Sequence, residues 1–184
     1  MIFQETKLQG AYIIELEPFR DQRGFFARTF CRREFEKIGH HRDFVQFNHS
    51  HTSRKGTIRG LHYQRPPHAE IKLIRCIRGG VFDVIVDIRQ GSRTFLDHIS
   101  VELTEQNLKM IYVPEGFAHG FQTLDAHTEL LYHHTAYYAP EAEGGVRYDD
   151  PLLGIEWPLS VGELSVKDQG YRHLEPHFKG LQIS

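Results

Sequence analysis

The sequence has little cysteine: Cys31 and Cys76 are the only two among 184 residues. They are far apart and form no Cys-x-x-Cys pair, which argues against a disulfide framework and a zinc ribbon. We expect buried thiols in a reducing compartment, so the cytoplasm is the expected location. The start of the chain, from Met1 to Thr6, has no basic stretch followed by an apolar run, and no window reaches about 18 uninterrupted apolar residues. Neither a signal peptide nor a membrane-spanning helix is expected.

An excess of charge of either sign is also missing. Lysine and arginine together number 22, and aspartate and glutamate number 24. This balance gives no general attraction to nucleic acid or to an anionic membrane, so an anionic ligand must meet a local basic cluster. No stretch rich in Ser, Gly, Pro or like charges divides the chain, so residues 1–184 are predicted to form one domain. A chain of this length buries roughly 70% of its unfolded surface, so its core needs no disulfide or structural metal.

Helical periodicity is scarce, and alternation with a period of two dominates. From Val81 to Ile88 the even positions are all apolar, whereas Asp83 and Asp87 occupy odd ones. This pattern predicts a half-buried strand. The same alternation occurs between Tyr12 and Leu16 and between His98 and Leu103. Short strands separated by glycine-containing turns predict an all-β sandwich or barrel.

Two parts of the chain depart from the strand pattern. Residues Arg32 to Ile38 are predicted to form about two helical turns, ended by Gly39, which tolerates a left-handed backbone. The tail after Trp157 is polar and irregular. Its periodicity does not predict whether it packs on the barrel.

Histidine is abundant, with 13 residues, which points to metal binding or to proton transfer. His49 and His51 have the spacing of two ligands on one strand face. His133 and His134 are adjacent, so they point to opposite faces of a strand, and no Glu follows His51 at the spacing of a third ligand. We therefore expect no metal and no other cofactor. The Gly-x-Ser-x-Gly, P-loop and Gly-x-Gly-x-x-Gly motifs are absent.

One segment places polar side chains where a β core favours apolar ones. Gln46 and Asn48 share a strand face, and Arg59, with a guanidinium fork suited to phosphate, comes shortly before His62. A polar surface strand would show the same pattern. Lys72 follows in an otherwise apolar strand, where a lysine that reaches back to solvent is also common.

A second such segment, Pro114 to Phe121, contains His119 between small and aromatic neighbours, a setting more typical of a structural histidine than of a catalyst. Leu130 and Tyr132 have the same parity, so both point inward if one does. A buried tyrosine ordinarily only finds a hydrogen-bond partner. We expect general acid and base chemistry on a small anionic ligand, with His62 as the base.

Six segments follow one another in a specific order and spacing, within a pattern that runs from about Phe3 to Asp168. They are Asp21-Gln22-Arg23-Gly24-Phe25-Phe26, Gln46-x-Asn48-x-Ser50, Arg59-Gly60-Leu61-His62-Tyr63-Gln64, Lys72-Leu73, Pro114-x-Gly116-Phe117-Ala118-His119-Gly120-Phe121 and Ser165-x-Lys167-Asp168. Together they resemble the dTDP-4-dehydrorhamnose 3,5-epimerase family. The resemblance implies a cupin-like jelly-roll barrel, a homodimer with the N-terminal strands at its interface, and no metal. With the short helix, the prediction is an all-β jelly roll with short peripheral helices.

The resemblance also implies a substrate, a nucleotide-diphosphate sugar with a C4 ketone, which is epimerised at C3 and C5. It further implies a role for individual residues in that reaction. His62 would remove the proton beside the ketone, Asp168 would stabilise the charged imidazole, and Tyr132 would deliver a proton to the opposite face. Lys72 would stabilise the enolate oxygen. The substrate contacts implied are Arg23, supplied by the partner chain, and Gln46, Asn48, Arg59, His119, Tyr138, Glu143 and Lys167.

The chain departs from the family at Arg28, where a Glu that contacts the nucleotide is usual. An arginine reverses the charge and replaces an acceptor with donors, so the base or phosphate end is predicted to be recognised differently here, which leaves the identity of the nucleotide open. The segment around Asp168 also lacks a proline soon after the aspartate. Three alternatives stay open: an epimerase acting at one centre, a metal-dependent cupin enzyme, and a sugar-nucleotide binding protein without catalysis.

Overall fold

The computed structural model describes residues 1–183, and β-strands dominate this part of the chain. Its helices are short: α1 (Arg32–Phe35), α2 (Val166–Gly170) and the 3₁₀ turns Glu36–Ile38 and Pro140–Ala142. The strands are β1 (Ile2–Glu5), β2 (Tyr12–Glu15), β3 (Phe19–Asp21), β4 (Gly24–Phe26), β5 (Gln46–Thr52), β6 (Ile58–Gln64), β7 (Lys72–Arg78), β8 (Gly80–Asp87), β9 (His98–Thr104), β10 (Lys109–Val113), β11 (Phe117–Thr123), β12 (Thr128–His134) and β13 (Glu143–Gly145).

Two antiparallel sheets form the body of the fold. One has the strand order β1-β2-β10-β7-β12-β5, and the other has the order β13-β6-β11-β8-β9. They pack face to face as a cupin-like jelly roll, an arrangement in which each sheet has one face toward a shared core. Strands β3 and β4 form a separate hairpin. The predicted all-β jelly roll with short peripheral helices is confirmed.

The shared core is built from alternate positions of both sheets. Strand periodicity places every second side chain on the inner face, which is why this core is apolar although the strands also carry charged residues. Its buried members are Leu8, Ala11, Ile74, Cys76, Val81, Ile85, Leu103, Ile111, Val113, Phe117, Phe121 and Leu130.

Strand β8 is buried on both faces, so the prediction of a half-buried strand there is wrong. Its odd positions face the shared core, and its even positions pack in a second hydrophobic cluster on the other side. Asp83 and Asp87 are fully buried. His119 Nε2 lies 2.9 Å from Asp83 Oδ2, and Arg89 pairs with Asp87 at 2.7 Å. These partners offset the cost of removing the carboxyl groups from water.

The C-terminal tail accounts for the second cluster. Trp157, Leu174, Phe178 and Leu181 pack against the outward positions of the five-stranded sheet. The indole Nε1 of Trp157 donates a hydrogen bond to the Tyr148 carbonyl at 2.9 Å. The irregular tail is therefore a cover for one sheet, which its sequence pattern did not predict.

The predicted helical segment is confirmed. Helix α1 continues into the 3₁₀ turn Glu36–Ile38, and Gly39 follows with φ of 77°. Phe35 of α1 is fully buried against the outer face of the six-stranded sheet. Among residues 1–183, no helix combines the length and apolar character needed to cross a membrane.

Candidate active site

A cavity of about 900 Å³ opens between the two sheets. It is lined by strands β5, β7 and β12 of one sheet and by β6 and β11 of the other, with α2 at one side. Ten of the thirteen side chains predicted to act on the ligand line it: Asn48, Arg59, His62, Lys72, His119, Tyr132, Tyr138, Glu143, Lys167 and Asp168. The fold therefore brings together residues that are up to about 120 positions apart in the chain.

A close approach of two strands sets the position of His62. Gly60 has φ of 124°, and a Cβ built there would lie 2.6 Å from the Gly120 Cα. Only glycine fits both the backbone angle and the space. Because β6 and β11 meet this closely, His62 lies directly opposite His119 in the strand pairing.

His62 forms a hydrogen-bonded pair with Asp168. Its Nε2 lies 2.6 Å from Asp168 Oδ1, and the backbone N–H of Gly60 donates to Oδ2 at 3.3 Å. Ser165 caps α2 by accepting from the Asp168 backbone N–H at 3.0 Å, which holds the aspartate in place. With Nε2–H directed at the carboxylate, Nδ1 is the nitrogen that can accept a proton.

The environment of Asp168 keeps its carboxyl group ionised. The residue is 2% exposed. Burial by itself would raise its pKa, but the hydrogen bond and charge of His62, together with the Gly60 and Ser165 contacts, hold the pKa below its usual value. An ionised Asp168 can stabilise a protonated His62.

Tyr132 faces the cavity from the opposite sheet. It lies on β12, is partly buried against the shared core, and meets the His119 ring edge-on at 6.2 Å between centroids. Burial raises the pKa of Tyr132, so its hydroxyl carries a proton at neutral pH. The parity argument for Tyr132 is confirmed, because Leu130 on the same strand face is buried in the core.

Lys72 is buried at the base of the cavity. It is 7% exposed. Its Nζ donates to the His62 carbonyl at 3.3 Å and lies 3.3 Å from Glu70 Oε1. The predicted alternative of a lysine reaching solvent is wrong.

His119 has a buried partner that its sequence setting did not indicate. Its Nε2 lies 2.9 Å from Asp83 Oδ2. Burial raises the pKa of the Asp83 carboxyl group, against the opposing effect of His119. The alternation in β8 predicted a polar face for Asp83, so no sequence pattern indicated it as a partner of His119.

Three predicted contacts meet at the rim of the cavity. Lys167 Nζ lies 2.7 Å from Glu143 Oε1, and the Tyr138 hydroxyl donates to Glu143 Oε2 at 3.0 Å. The Tyr138 ring is exposed, which leaves its face free for stacking. Gln46, beside the cavity, accepts from the Tyr138 backbone N–H at 3.0 Å and donates to Asn48 Oδ1 at 3.3 Å.

Arg59 lines the cavity, and its guanidinium is oriented by strand β5 of the opposite sheet. Its Nε donates to Thr52 Oγ1 at 3.0 Å, and one terminal nitrogen donates to the His51 carbonyl at 3.2 Å. Two of its five N–H donors are thus engaged, and the others can meet an anionic ligand.

The remaining two predicted contacts lie elsewhere in the single chain. Arg23, at the tip of the β3–β4 hairpin, is 87% exposed and pairs with Asp21 at 2.5 Å. Arg28 pairs with Glu34 at 2.9 Å. Neither residue lines the cavity. The effect of Arg28 on nucleotide choice stays a prediction.

The histidines that suggested metal ligands are arranged separately. His49 pairs with Glu129 at 3.0 Å, and the His51 ring stacks on His127. His133 contacts the Leu73 carbonyl at 3.3 Å. In the part of the chain that the structure describes, no three His, Cys, Asp or Glu side chains are grouped as metal ligands.

Known proteins are similar to this chain over nearly its whole length. The sequence model of the family described as dTDP-4-dehydrorhamnose 3,5-epimerase matches residues 5–176. The dTDP-4-dehydrorhamnose 3,5-epimerase of Salmonella typhimurium is 47% identical over 170 residues, which are 91% of this chain and 92% of that protein.

Solved structures agree with the sequence match. A dTDP-6-deoxy-D-glucose-3,5-epimerase of Legionella pneumophila in complex with dTDP-4-keto-L-rhamnose superposes with a TM-score of 0.91 at 39% identity, covering 100% of this chain and 99% of its own. A 3'-monoepimerase of Streptomyces bikiniensis in complex with dTDP-quinovose gives 0.85 at 31% identity, covering 91% and 85%. The chain therefore belongs to the dTDP-4-dehydrorhamnose 3,5-epimerase family.

Proposed function

We propose that this protein epimerises a dTDP-linked 4-keto-6-deoxyhexose at C3 and C5, converting dTDP-4-dehydro-6-deoxyglucose to dTDP-4-dehydrorhamnose. The observation that carries the proposal is the two-sided cavity: the His62–Asp168 pair lies on one sheet and a protonated Tyr132 on the other. Inverting a carbon requires a base on one face and an acid on the other, because a proton returned to its original face changes nothing.

The chemistry follows from the C4 ketone. The hydrogens on C3 and C5 are acidic only when the enolate left by their removal is stabilised. His62 Nδ1 takes the proton while Asp168 stabilises the imidazolium, and the buried Lys72 ammonium faces the developing enolate oxygen. Tyr132 then donates its hydroxyl proton to the opposite face of the carbon.

The other cavity residues form a clamp for the nucleotide and its diphosphate. Arg59 and His119 supply donors for phosphate or sugar oxygens, and Tyr138 presents an exposed ring to the base. Gln46, Asn48, Glu143 and Lys167 fix the rim through their mutual hydrogen bonds. The dTDP sugars bound by the two solved relatives support dTDP as the nucleotide.

The active form is a homodimer in which Arg23 enters the partner's cavity. The β3–β4 hairpin pairs with neither sheet, and it exposes Phe19 and Phe26 beside Arg23. Exposed aromatic side chains next to an arginine are typical of protein interfaces. The enzyme acts in the cytoplasm, where its unpaired cysteines would stay reduced.

Solvent exchange during turnover tests the proposal. The substrate is supplied in deuterated water, and deuterium at each carbon is followed by NMR. Label is expected at both C3 and C5. Label at one carbon would favour the second candidate, a mono-epimerase like the Streptomyces relative; the absence of label would contradict both.

The His62→Ala variant identifies the base. We expect exchange to fall at least about 100-fold, because proton transfer by a positioned side chain contributes roughly that much or more. Binding of dTDP, measured by calorimetry, should stay within about threefold, because His62 faces the sugar carbon and not the phosphates. Undiminished exchange in this variant would contradict the assignment of the base.

A further inference from the structure

A buried charge network lies in the wall of the cavity, next to Lys72. Glu70 and Lys72 side chains are each 9% exposed, and Glu70 Oε1 lies 3.3 Å from Lys72 Nζ. The other carboxylate oxygen, Oε2, lies 2.8 Å from His134 Nδ1. Neither Glu70 nor His134 was identified by the motifs, although both line the cavity.

The hydrogen bonds of this network form a chain of donors and acceptors from Gln46 to Glu70. Gln46 Nε2 donates to Asn48 Oδ1 at 3.3 Å, and Asn48 Nδ2 lies 3.3 Å from His134 Nε2. In the tautomer with the proton on Nδ1, His134 accepts from Asn48 and donates to Glu70, so both of its nitrogens have a partner. Glu70 is thereby held between a fixed imidazole and the lysine ammonium.

Glu70 remains a carboxylate despite its burial. Burial would raise its pKa, but the hydrogen bond from His134 and the charge of Lys72 hold the pKa below its usual value. Two of the three N–H groups of the Lys72 ammonium are therefore engaged, one by Glu70 and one by the His62 carbonyl. The third is left for a ligand in the cavity.

We propose that Glu70 is a positioning residue for the reaction: with His134 behind it, it holds the Lys72 ammonium so that the third N–H faces the enolate oxygen. Lysine has a flexible four-carbon stem, and a buried counter-charge at a fixed place removes that freedom. This inference rests on the proposed epimerase activity, and specifically on the role of Lys72. A structural ion pair that only stabilises the fold is the opposing interpretation.

A double-mutant cycle separates the two interpretations. Glu70→Gln keeps the shape and removes the charge, and Lys72→Met removes the group that Glu70 is proposed to position. We expect Glu70→Gln to lower kcat for solvent exchange about 10-fold with KM changed less than about twofold, because the contact acts on the transition state. In the Lys72→Met background, followed by single-turnover exchange, the same change should have less than about a twofold effect.

The exposed side of the same sheet offers a matched control. Glu129 also lies between a histidine and a cation, 3.0 Å from His49 and 3.4 Å from Arg78, and does not itself line the cavity. Glu129→Gln should leave kcat and KM unchanged. An equal loss from Glu70→Gln in both lysine backgrounds, or no loss in the natural background, would overturn the proposal.

Two further measurements keep the outcome decisive. If Glu70→Gln does not fold, His134→Leu replaces it in the same cycle. This change removes the hydrogen bond that holds Glu70 but keeps the Glu70 carboxylate. We expect a smaller loss of kcat than for Glu70→Gln, again only when Lys72 is present. Failure of the unmutated protein to exchange deuterium would instead contradict the epimerase function itself. If the unmutated protein is active but the effects of the Glu70 and Lys72 substitutions are additive, only the role of Glu70 is contradicted.

Discussion

The side chains that matter most for the proposed chemistry are charged groups removed from water. Lys72 and Asp168 are both buried, and each is matched by a partner at hydrogen-bond distance. An unpaired buried charge is costly, whereas a paired one can be held in a single orientation. Burying these charged groups lowers the stability of the fold. In return, it fixes the donors and acceptors around the ligand.

Asp168→Asn tests the function of the buried carboxylate. The amide keeps the size of the side chain but cannot stabilise a charged His62, so kcat should fall about 100-fold or more while dTDP binding is retained. Steady-state exchange kinetics and calorimetry would measure the two quantities. Asp149→Asn, in an exposed pair with Arg147, should leave kcat unchanged. An active Asp168→Asn variant would contradict the role of the pair.

The same variant should change acid stability in a defined direction. The folded-state pKa of Asp168 is lowered, so its carboxylate stabilises the fold above the unfolded value of about 3.9. That contribution is lost as the pH falls through the folded-state pKa. The difference in Tm between pH 7 and pH 3 should therefore be smaller in the Asp168→Asn variant than in the unmutated protein.

At the scale of strands, the contact between β6 and β11 determines the position of His62. The two strands approach at Gly60 and Gly120, where an added Cβ at either position would meet backbone or side-chain atoms at less than 3 Å. At Gly120 the space excludes a side chain, and at Gly60 both the space and the positive φ of 124° do so.

Gly60→Ala is expected to destabilise the fold by about 1–3 kcal/mol and to displace His62 from Asp168. Urea unfolding would measure the first effect and exchange kinetics the second. Gly170→Ala is the matched control, because a Cβ there meets nothing within 4 Å. Equal stability of the two variants would show that β6 and β11 can separate without cost.

At the scale of the whole molecule, one proposed substrate contact lies outside the cavity of the described chain. Arg23 is exposed on a hairpin with exposed aromatic side chains and does not line the cavity. If a second copy supplies it, the active unit has two sites, each built from two chains.

Mixing two inactive variants tests this arrangement. Arg23→Ala and His62→Ala homodimers should each be weak, since every site lacks one group. After unfolding and refolding together, heterodimers contain one intact site, so activity should recover to about a quarter of the natural value. Refolding each variant alone is the control. The absence of recovery in a sample that contains heterodimers would contradict the shared site.

The sequence by itself determined the strand content, the short helix ended by Gly39, and the common direction of the Leu130 and Tyr132 side chains. These features follow from local periodicity and backbone preference, which each segment carries independently of its neighbours. The ordered motifs further identified His62, Lys72 and Asp168 as one set, and their common cavity is what the structure adds.

Only the tertiary structure decided what lies on the two faces of β8 and what supports Lys72. The tail covers the even positions of β8 on the outer face of the sheet, and Asp87, where alternation suggested a polar face, is buried among Arg89, Ser92 and Thr94. Asp83 is buried on the inner side and meets His119, and Glu70 meets His134 across 64 residues of chain. Burial and pairing of this kind depend on segments that are distant in sequence, so periodicity within one strand does not encode them.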